Sequence, residues 1–244
     1  MLKKNAKTGA LLRFILLLAV TLLLTLLLLL FFLPREKAPQ TEETPTPKTE
    51  RVIYLDPGHG DFDFGATATL NDGTPLYEKE LVLSLALDAA DALRARGYSV
   101  QLSRTDDRRH TYTTAAAEVY ARRADAEEKG ARYLLSIHAN AYAGEGRAFG
   151  PRVYYDPATP GAKEKATLFA AAITEACAPD ALRECRTVPD GSFAILGART
   201  DVALLFECGF LSDPAERELL SRPAYRARLS RGIANGIERI LCAE

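Results

Sequence analysis

The sequence predicts a single α/β domain, a mainly parallel or mixed sheet flanked by helices, preceded by an N-terminal transmembrane helix. Three observations predict this. Beyond residue 51, short apolar runs alternate with longer amphipathic stretches, and strands alternating with helices imply a largely parallel sheet covered on both faces. Several apolar runs end at polar residues or Gly-rich turns, as at Leu55-Asp-Pro-Gly-His-Gly and Ser136-Ile-His-Ala-Asn. One unbroken apolar stretch, Phe14 to Leu33, stands near the N-terminus.

That stretch is 20 residues long and is interrupted only by Thr21 and Thr25. A helix of that length spans roughly 30 Å, the hydrocarbon thickness of a bilayer. A cleaved secretory signal has an apolar region of about 7–15 residues followed by small residues. Here the run is longer and ends Phe31-Phe-Leu-Pro-Arg-Glu-Lys37, so an uncleaved anchor is expected. Lys3, Lys4, Lys7 and Arg13 precede it. The positive-inside rule then leaves residues 1–13 in the cytoplasm and the rest outside the membrane. Arg35 and Lys37 weaken that bias a little. Residues 34–50 hold four prolines among polar neighbours and read as a semi-extended linker. The expected organisation is a cytoplasmic segment at residues 1–13, a 14–33 signal anchor, a 34–50 linker and a 51–244 α/β domain.

Within residues 51–244 the elements follow in order. Val52–Asp56 is a short apolar strand. Glu78–Arg96 is a helix, with Val82, Leu85, Ala86, Ala89 and Leu93 at 3–4 spacing and Gly97 as its stop. Tyr98–Arg104 alternates as a half-buried strand. Thr113–Lys129 is an Ala- and charge-rich helix, and Tyr133–His138 the next strand. Arg152–Tyr155 is a shorter strand, Ala162–Ala176 a helix, and Phe193–Leu196 a short strand candidate. Val202–Glu207 is a buried strand, and Pro214 and Pro223 open the last two helices, where proline fits.

Charge narrows the partners. The first 50 residues carry seven Lys/Arg against four Glu, so of a net charge of −1 the remaining 194 residues hold −4. Nucleic acid is not an expected partner, because binding it requires a basic face.

The chain has three histidines, His59, His110 and His138. His59 follows the first strand and His138 ends another. Glu207 ends the apolar run 202–206, and Glu78 opens the helix returning from the first strand. In a parallel sheet these positions share the carboxyl edge, where ligands bind. Two imidazoles and one carboxylate are a known catalytic zinc set, and a second carboxylate nearby could take a proton from water. Each residue alone also has a structural reading: His59 as a turn residue, His138 as a satisfied core histidine, Glu78 as a carboxylate at a helix N-terminus. Glu207 is harder to place structurally, because a carboxylate after Ala-Leu-Leu-Phe is costly to bury without a partner. Glu80 competes with Glu78 but lies about 200° round the helix.

These residues, in order, resemble a family. Leu55-Asp-Pro-Gly-His59-Gly, Asp63, Gly65-Ala66, Glu78-Lys-Glu-Leu, Ser103-Arg-Thr-Asp, Ser136-Ile-His138-Ala-Asn140-Ala and Phe206-Glu207-Cys-Gly-Phe-Leu-Ser-Asp-Pro214 look like the zinc-dependent N-acetylmuramoyl-L-alanine amidases of bacterial cell walls. The resemblance covers about residues 51–240. It implies Zn2+ as cofactor, His59, Glu78 and His138 as its ligands, Glu207 as the catalytic acid/base, and peptidoglycan as substrate. A short anchor joined directly to the catalytic domain looks like the amidases of spore-forming bacteria that prepare cortex for germination. Two departures are visible: Gly60-Asp61 and Asp63-Phe64-Gly65 stand where the family usually has Gly-Gly and Asp-Pro-Gly, and Arg122-Arg-Ala-Asp125 blurs its Arg and Ala-Asn. No role is assigned to Arg122 or Arg123 on this basis. Two other readings remain: an inactive membrane-anchored wall-binding regulator, and a zinc peptidase cutting within the stem peptide.

Asp56 and Asn140 flank the histidines and are candidates for orienting them. Arg104 reads as a structural pair at its strand end, and His110 as an exposed loop residue. Gly209 is expected to leave room for substrate. Cys177, Cys185, Cys208 and Cys242 show no Cys-x-x-Cys spacing. A Cys177–Cys185 disulfide is conceivable in an extracytoplasmic domain, and Cys208 reads as a small apolar filler.

Overall fold

The computed structural model describes residues 16–26, 28, 51–107, 114–144, 148–178, 180 and 184–243. The chain divides into two units, Met1–Pro45 and Thr46–Glu244. The first contributes helix α1, described over residues 16–26 and at residue 28. The hydroxyl of Thr21 donates to the carbonyl of Leu17 and that of Thr25 to the carbonyl of Thr21, at 3.0 Å each, so both polar side chains are satisfied within the helix. The described leucines of α1 are exposed. The rest of the expected 14–33 anchor, and all of the 34–50 linker, lie outside the described residues. Among the described residues no helix is long and apolar enough to cross a membrane.

In the second unit, β1 (Val52–Pro57) is followed by a hairpin of β2 (Thr67–Thr69) and β3 (Pro75–Tyr77), then α2 (Glu78–Arg94) and β4 (Ser99–Leu102). Next come α3 (Ala115–Glu128), β5 (Ala131–Asn140), β6 (Arg152–Tyr155), α4 (Ala162–Cys177) and β7 (Arg186–Pro189). A 3-10 turn (Ala194–Gly197), β8 (Val202–Phe210), α5 (Pro214–Ser221) and α6 (Pro223–Cys242) complete the chain. The main sheet has the order β4-β1-β5-β8-β6-β7. β4, β1, β5 and β8 run parallel, whereas β6 pairs antiparallel with β8 and parallel with β7. The sheet is therefore mixed and mostly parallel.

Strand alternation sorts the residues by face. Ile53, Leu55, Tyr133, Leu135, Ile137, Leu204 and Phe206 join the larger core with α2, α4 and α6. Tyr54, Leu134, Ala203 and Leu205 join a smaller core with Ala126 of α3 and with Ile195 and Leu196 of the 3-10 turn. By the same parity Asp56, Ser136, His138 and Glu207 stand on the α3 face. From β1 the chain crosses to β4 on one side, then to β5 on the other. The β1/β5 boundary is thus the switch point where a crevice opens outside the carboxyl ends of the strands.

Local signals explain the element ends. α2 stops where Gly97, at φ +86°, turns the chain, and the Tyr98 N–H reaches the Leu93 carbonyl at 3.2 Å. Thr114 caps α3 by accepting from the Ala117 N–H, and Asp213 caps α5 by accepting from the Ala215 and Glu216 N–H groups. Residues 193–196 depart from expectation. They form a 3-10 turn and not a strand, because β8 is already paired on both sides by β5 and β6, so Ile195 and Leu196 are buried on the sheet face instead. The short strands β2, β3 and β7 lack an apolar alternation and are not legible as strands. All four cysteines are free thiols, without a Cys177–Cys185 bridge. Cys208 is buried in the larger core, as expected of a filler. His110 lies outside the described residues.

Candidate metal centre and active site

The structure brings three of the four expected site side chains into direct contact. His59 Nε2 lies 3.0 Å from Glu78 Oε1, His138 Nδ1 lies 2.9 Å from the same oxygen, and the two ring nitrogens are 3.2 Å apart. Three potential ligand atoms from three separate segments thus converge on one point.

Each is fixed by its own local structure. His59 sits in the left-handed region at φ +61°, in a turn closed by the Gly60–Asp63 bridge. Histidine is among the residues more often found there, at some cost in strain. His59 Nδ1 lies 2.8 Å from Asp63 Oδ2, which sets the ring so that Nε2 faces the site. The turn is pinned from below. The Arg104 guanidinium donates to the carbonyls of Pro57, Gly58, Lys79 and Asp106, which makes it the structural group expected of it. The buried Lys79 ammonium donates to Asp61 O and Asp107 Oδ2 and lies 4.2 Å from the Phe64 ring centroid.

Glu78 is the first residue of α2, delivered there by the β2–β3 hairpin. Its Oε2 accepts from the Ala66 N–H at 2.7 Å, and Oε1 from the Ala139 N–H at 2.9 Å. Burial opposes its charge, but bonding to His138 and His59 outweighs this and holds its pKa well below the usual carboxylate range. For His59, burial lowers the pKa, and the bond and charge of Glu78 more than reverse that.

Two glycines make the convergence possible. A Cβ on Gly58 would stand 2.1 Å from His138 Cε1, and one on Gly65 would stand 2.5 Å from Glu78 Oε2. Both lie in stretches the sequence singles out, yet only the close approach of the rings shows why a side chain is excluded.

Glu207 stands apart from the triad. It is opposite His138 in the β5–β8 register and lines the same cavity, of about 250 Å³, as His59 and His138. Its Oε2 is buried without a hydrogen-bond partner. Burial pushes its carboxyl up to about 7, with the Glu78 charge adding to the rise and His138 opposing it. Such a group can accept and donate protons near neutrality.

Several expectations shift. Asp56 accepts from Ser136 Oγ at 2.8 Å and faces Arg122 of α3 at 3.5 Å, not an imidazole. Asn140 gives its carbonyl to the Leu211 N–H. Asp63 is the residue that orients a histidine. Gly209 does not open space for substrate: a Cβ there would meet Leu220 and Glu216 of α5. Glu216 was not legible as important, yet its carboxylate accepts from the Gly150 and Phe210 N–H groups at 2.6 Å each, holding the end of β8.

The donor set fits zinc. Two imidazoles and a carboxylate with mutual separations of 2.9–3.2 Å form the three-ligand set that catalytic zinc takes, leaving a position for water. The unpartnered Glu207 oxygen lies in the cavity wall beside it. Fold and site together define an α/β protein, its sheet covered on both faces, with a His-Glu-His cluster able to hold a metal at the sheet edge. The family model described as N-acetylmuramoyl-L-alanine amidase matches residues 53–239. The chain belongs to that family. It is 30% identical over 231 residues to the N-acetylmuramoyl-L-alanine amidase AmiC of Neisseria meningitidis, covering 78% of this chain and 52% of that one. It is 33% identical over 188 residues to the sporulation-specific N-acetylmuramoyl-L-alanine amidase of Bacillus subtilis, covering 76% of this chain and 66% of that one. The chain thus spans about half the length of the first relative and about two thirds of the second. The solved CwlD amidase of Clostridioides difficile, in complex with the GerS lipoprotein, superposes with a TM-score of 0.69 at 25% identity, over 80% of this chain and 100% of that one.

Proposed function

We propose that this chain is a zinc-dependent N-acetylmuramoyl-L-alanine amidase, hydrolysing the amide between N-acetylmuramic acid and L-alanine in peptidoglycan. The observation that carries the reading is the convergence of His59 Nε2, Glu78 Oε1 and His138 Nδ1 on a cavity also lined by Glu207, whose Oε2 is buried without a hydrogen-bond partner. His59, Glu78 and His138 would hold the metal. Bound zinc supplies Lewis-acid activation of water and of the amide carbonyl. Asp63 keeps the His59 ring in register, and the backbone N–H groups of Ala66 and Ala139 keep Glu78 from rotating away. Glu207 accepts the proton of the attacking water and returns it to the departing amine of L-alanine. Glu78 is excluded from that role because both its oxygens are already engaged.

In this reading the protein is a single-pass membrane protein with its catalytic domain on the wall side, a reading supported by the long apolar run 14–33. Likeness to the Bacillus sporulation-specific enzyme supports a role in spore-wall processing, including the cortex, and the lipoprotein bound by the Clostridioides relative makes a protein partner part of the proposal. The experiment is product analysis. Full-length protein with zinc should release peptides bearing a new N-terminal L-alanine and no sugar, and a chelator should stop the release. A shortened peptide still attached to muramic acid would instead show a peptidase.

A further inference from the structure

The cavity beside the metal set runs back along the α3 face of the sheet, and its walls differ in kind. Val119, Phe193, Ile195 and Leu205 make one side apolar. Arg122 of α3 lines the same cavity and is 8% exposed. Its Nε and Nη1 have no hydrogen-bond partner. Asp56 Oδ1 lies 3.5 Å from Nε, an ion pair longer than an ordinary hydrogen bond, and has no hydrogen-bond partner of its own. The neighbouring arginines differ. Arg104 donates to four carbonyls, and Arg123 to those of Ala194 and Gly197. A guanidinium has five N–H donors, and leaving them unmade in a buried place is costly. The described lining also carries the carboxylates of Asp63, Glu118 and Glu207, and among these the Arg122 guanidinium is the group able to meet an anion.

We propose that this cavity holds the peptide side of the scissile amide and that Arg122 reads a carboxylate carried by the residue after L-alanine. The inference rests on the amidase reading and names the half of the substrate that the enclosed space takes. The apolar wall suits an alanine methyl group and is a poor match for a sugar ring with its hydroxyls. The guanidinium fork suits a carboxylate, which it can meet with two parallel N–H donors. The sugar then lies toward the open mouth.

The test compares two muramoyl dipeptides differing at one group, a free carboxylate on the second residue or its carboxamide. kcat/KM is measured on the full chain in detergent, with zinc, for the wild type, Arg122→Lys, and the double variant Arg122→Met with Asp56→Asn. The double variant removes both charges together, so no buried ion is stranded. The wild type should favour the free carboxylate by at least about tenfold, the scale of one charged hydrogen bond. Arg122→Lys should narrow that ratio, and the double variant should bring it to about one with bound zinc retained. Equal use of both substrates by the wild type, or a ratio that survives in the variants while rates fall, would overturn the inference and leave the amidase reading standing. Release from neither substrate would overturn both. If the double variant does not fold, the Arg122→Lys ratio decides.

Discussion

Glu78 is buried and Glu207 half-buried at the same strand edge, and their neighbours separate their roles. Glu78 receives two backbone N–H bonds and contacts two imidazoles, which favour its ionised form. Glu207 lacks such support on Oε2, and burial favours its neutral form. Asp63 acts one step further out, through His59. Asp63→Ala should weaken zinc binding by about 10–100-fold, the usual effect of losing such an orienting carboxylate, as read by competition with a chelator. Gly58→Ala should be more severe. Its Cβ would overlap the His138 ring, so the ring must move and the bound zinc should fall well below that of the wild type. Retention of full zinc in Gly58→Ala would show that the ring has slack the structure does not suggest.

At the scale of elements, the site depends on how β1, the β2–β3 hairpin and β5 end. Much of this was legible in the sequence. Apolar runs ending at His138 and Glu207, and a helix beginning at Glu78, were enough to place these groups on one edge. Asp63 was not legible as the orienting residue, because a tight turn with left-handed His59 and Asp61 folds it back on a residue four positions earlier. The role of Arg122 was equally hidden, since a helix carrying Arg122 and Arg123 side by side does not show which of them turns inward. The residues 193–196 misled because four apolar residues fit a strand or a turn packed on a sheet, and only the occupied edges of β8 decide. Helix packing behind the sheet yields a prediction of its own. Gly236 of α6 lies against Phe169 of α4, where a Cβ would stand 2.6 Å from the ring. Gly236→Val should destabilise the fold by about 1–3 kcal/mol through overpacking, seen as a lower melting temperature with the zinc site intact in the folded fraction.

Across the whole molecule, the parallel strands place the chemistry at the β1/β5 switch point, and a buried charge pair ties α3 to the sheet beneath it. Burial opposes ionisation of Asp56, but the Arg122 charge and the Ser136 hydrogen bond outweigh this and hold its pKa below the ordinary value. A carboxylate depressed on folding contributes stability above its unfolded pKa, about 3.9, and loses it as pH falls through the folded value. Asp56→Asn should therefore melt well below the wild type at pH 7, because Arg122 is left buried without its counter-charge. The gap should close as the pH drops below about 4. A constant gap across that range would assign the loss to packing and not to charge. The central claim, that three residues hold the metal while Glu207 moves the proton, is tested most directly by Glu207→Gln. Zinc content and peptide release from muramic acid-containing wall fragments are measured on one preparation. The account predicts about one zinc per chain, as in the wild type, with release reduced by at least about 10²–10⁴-fold. Near-wild-type release, or loss of zinc together with activity, would contradict it.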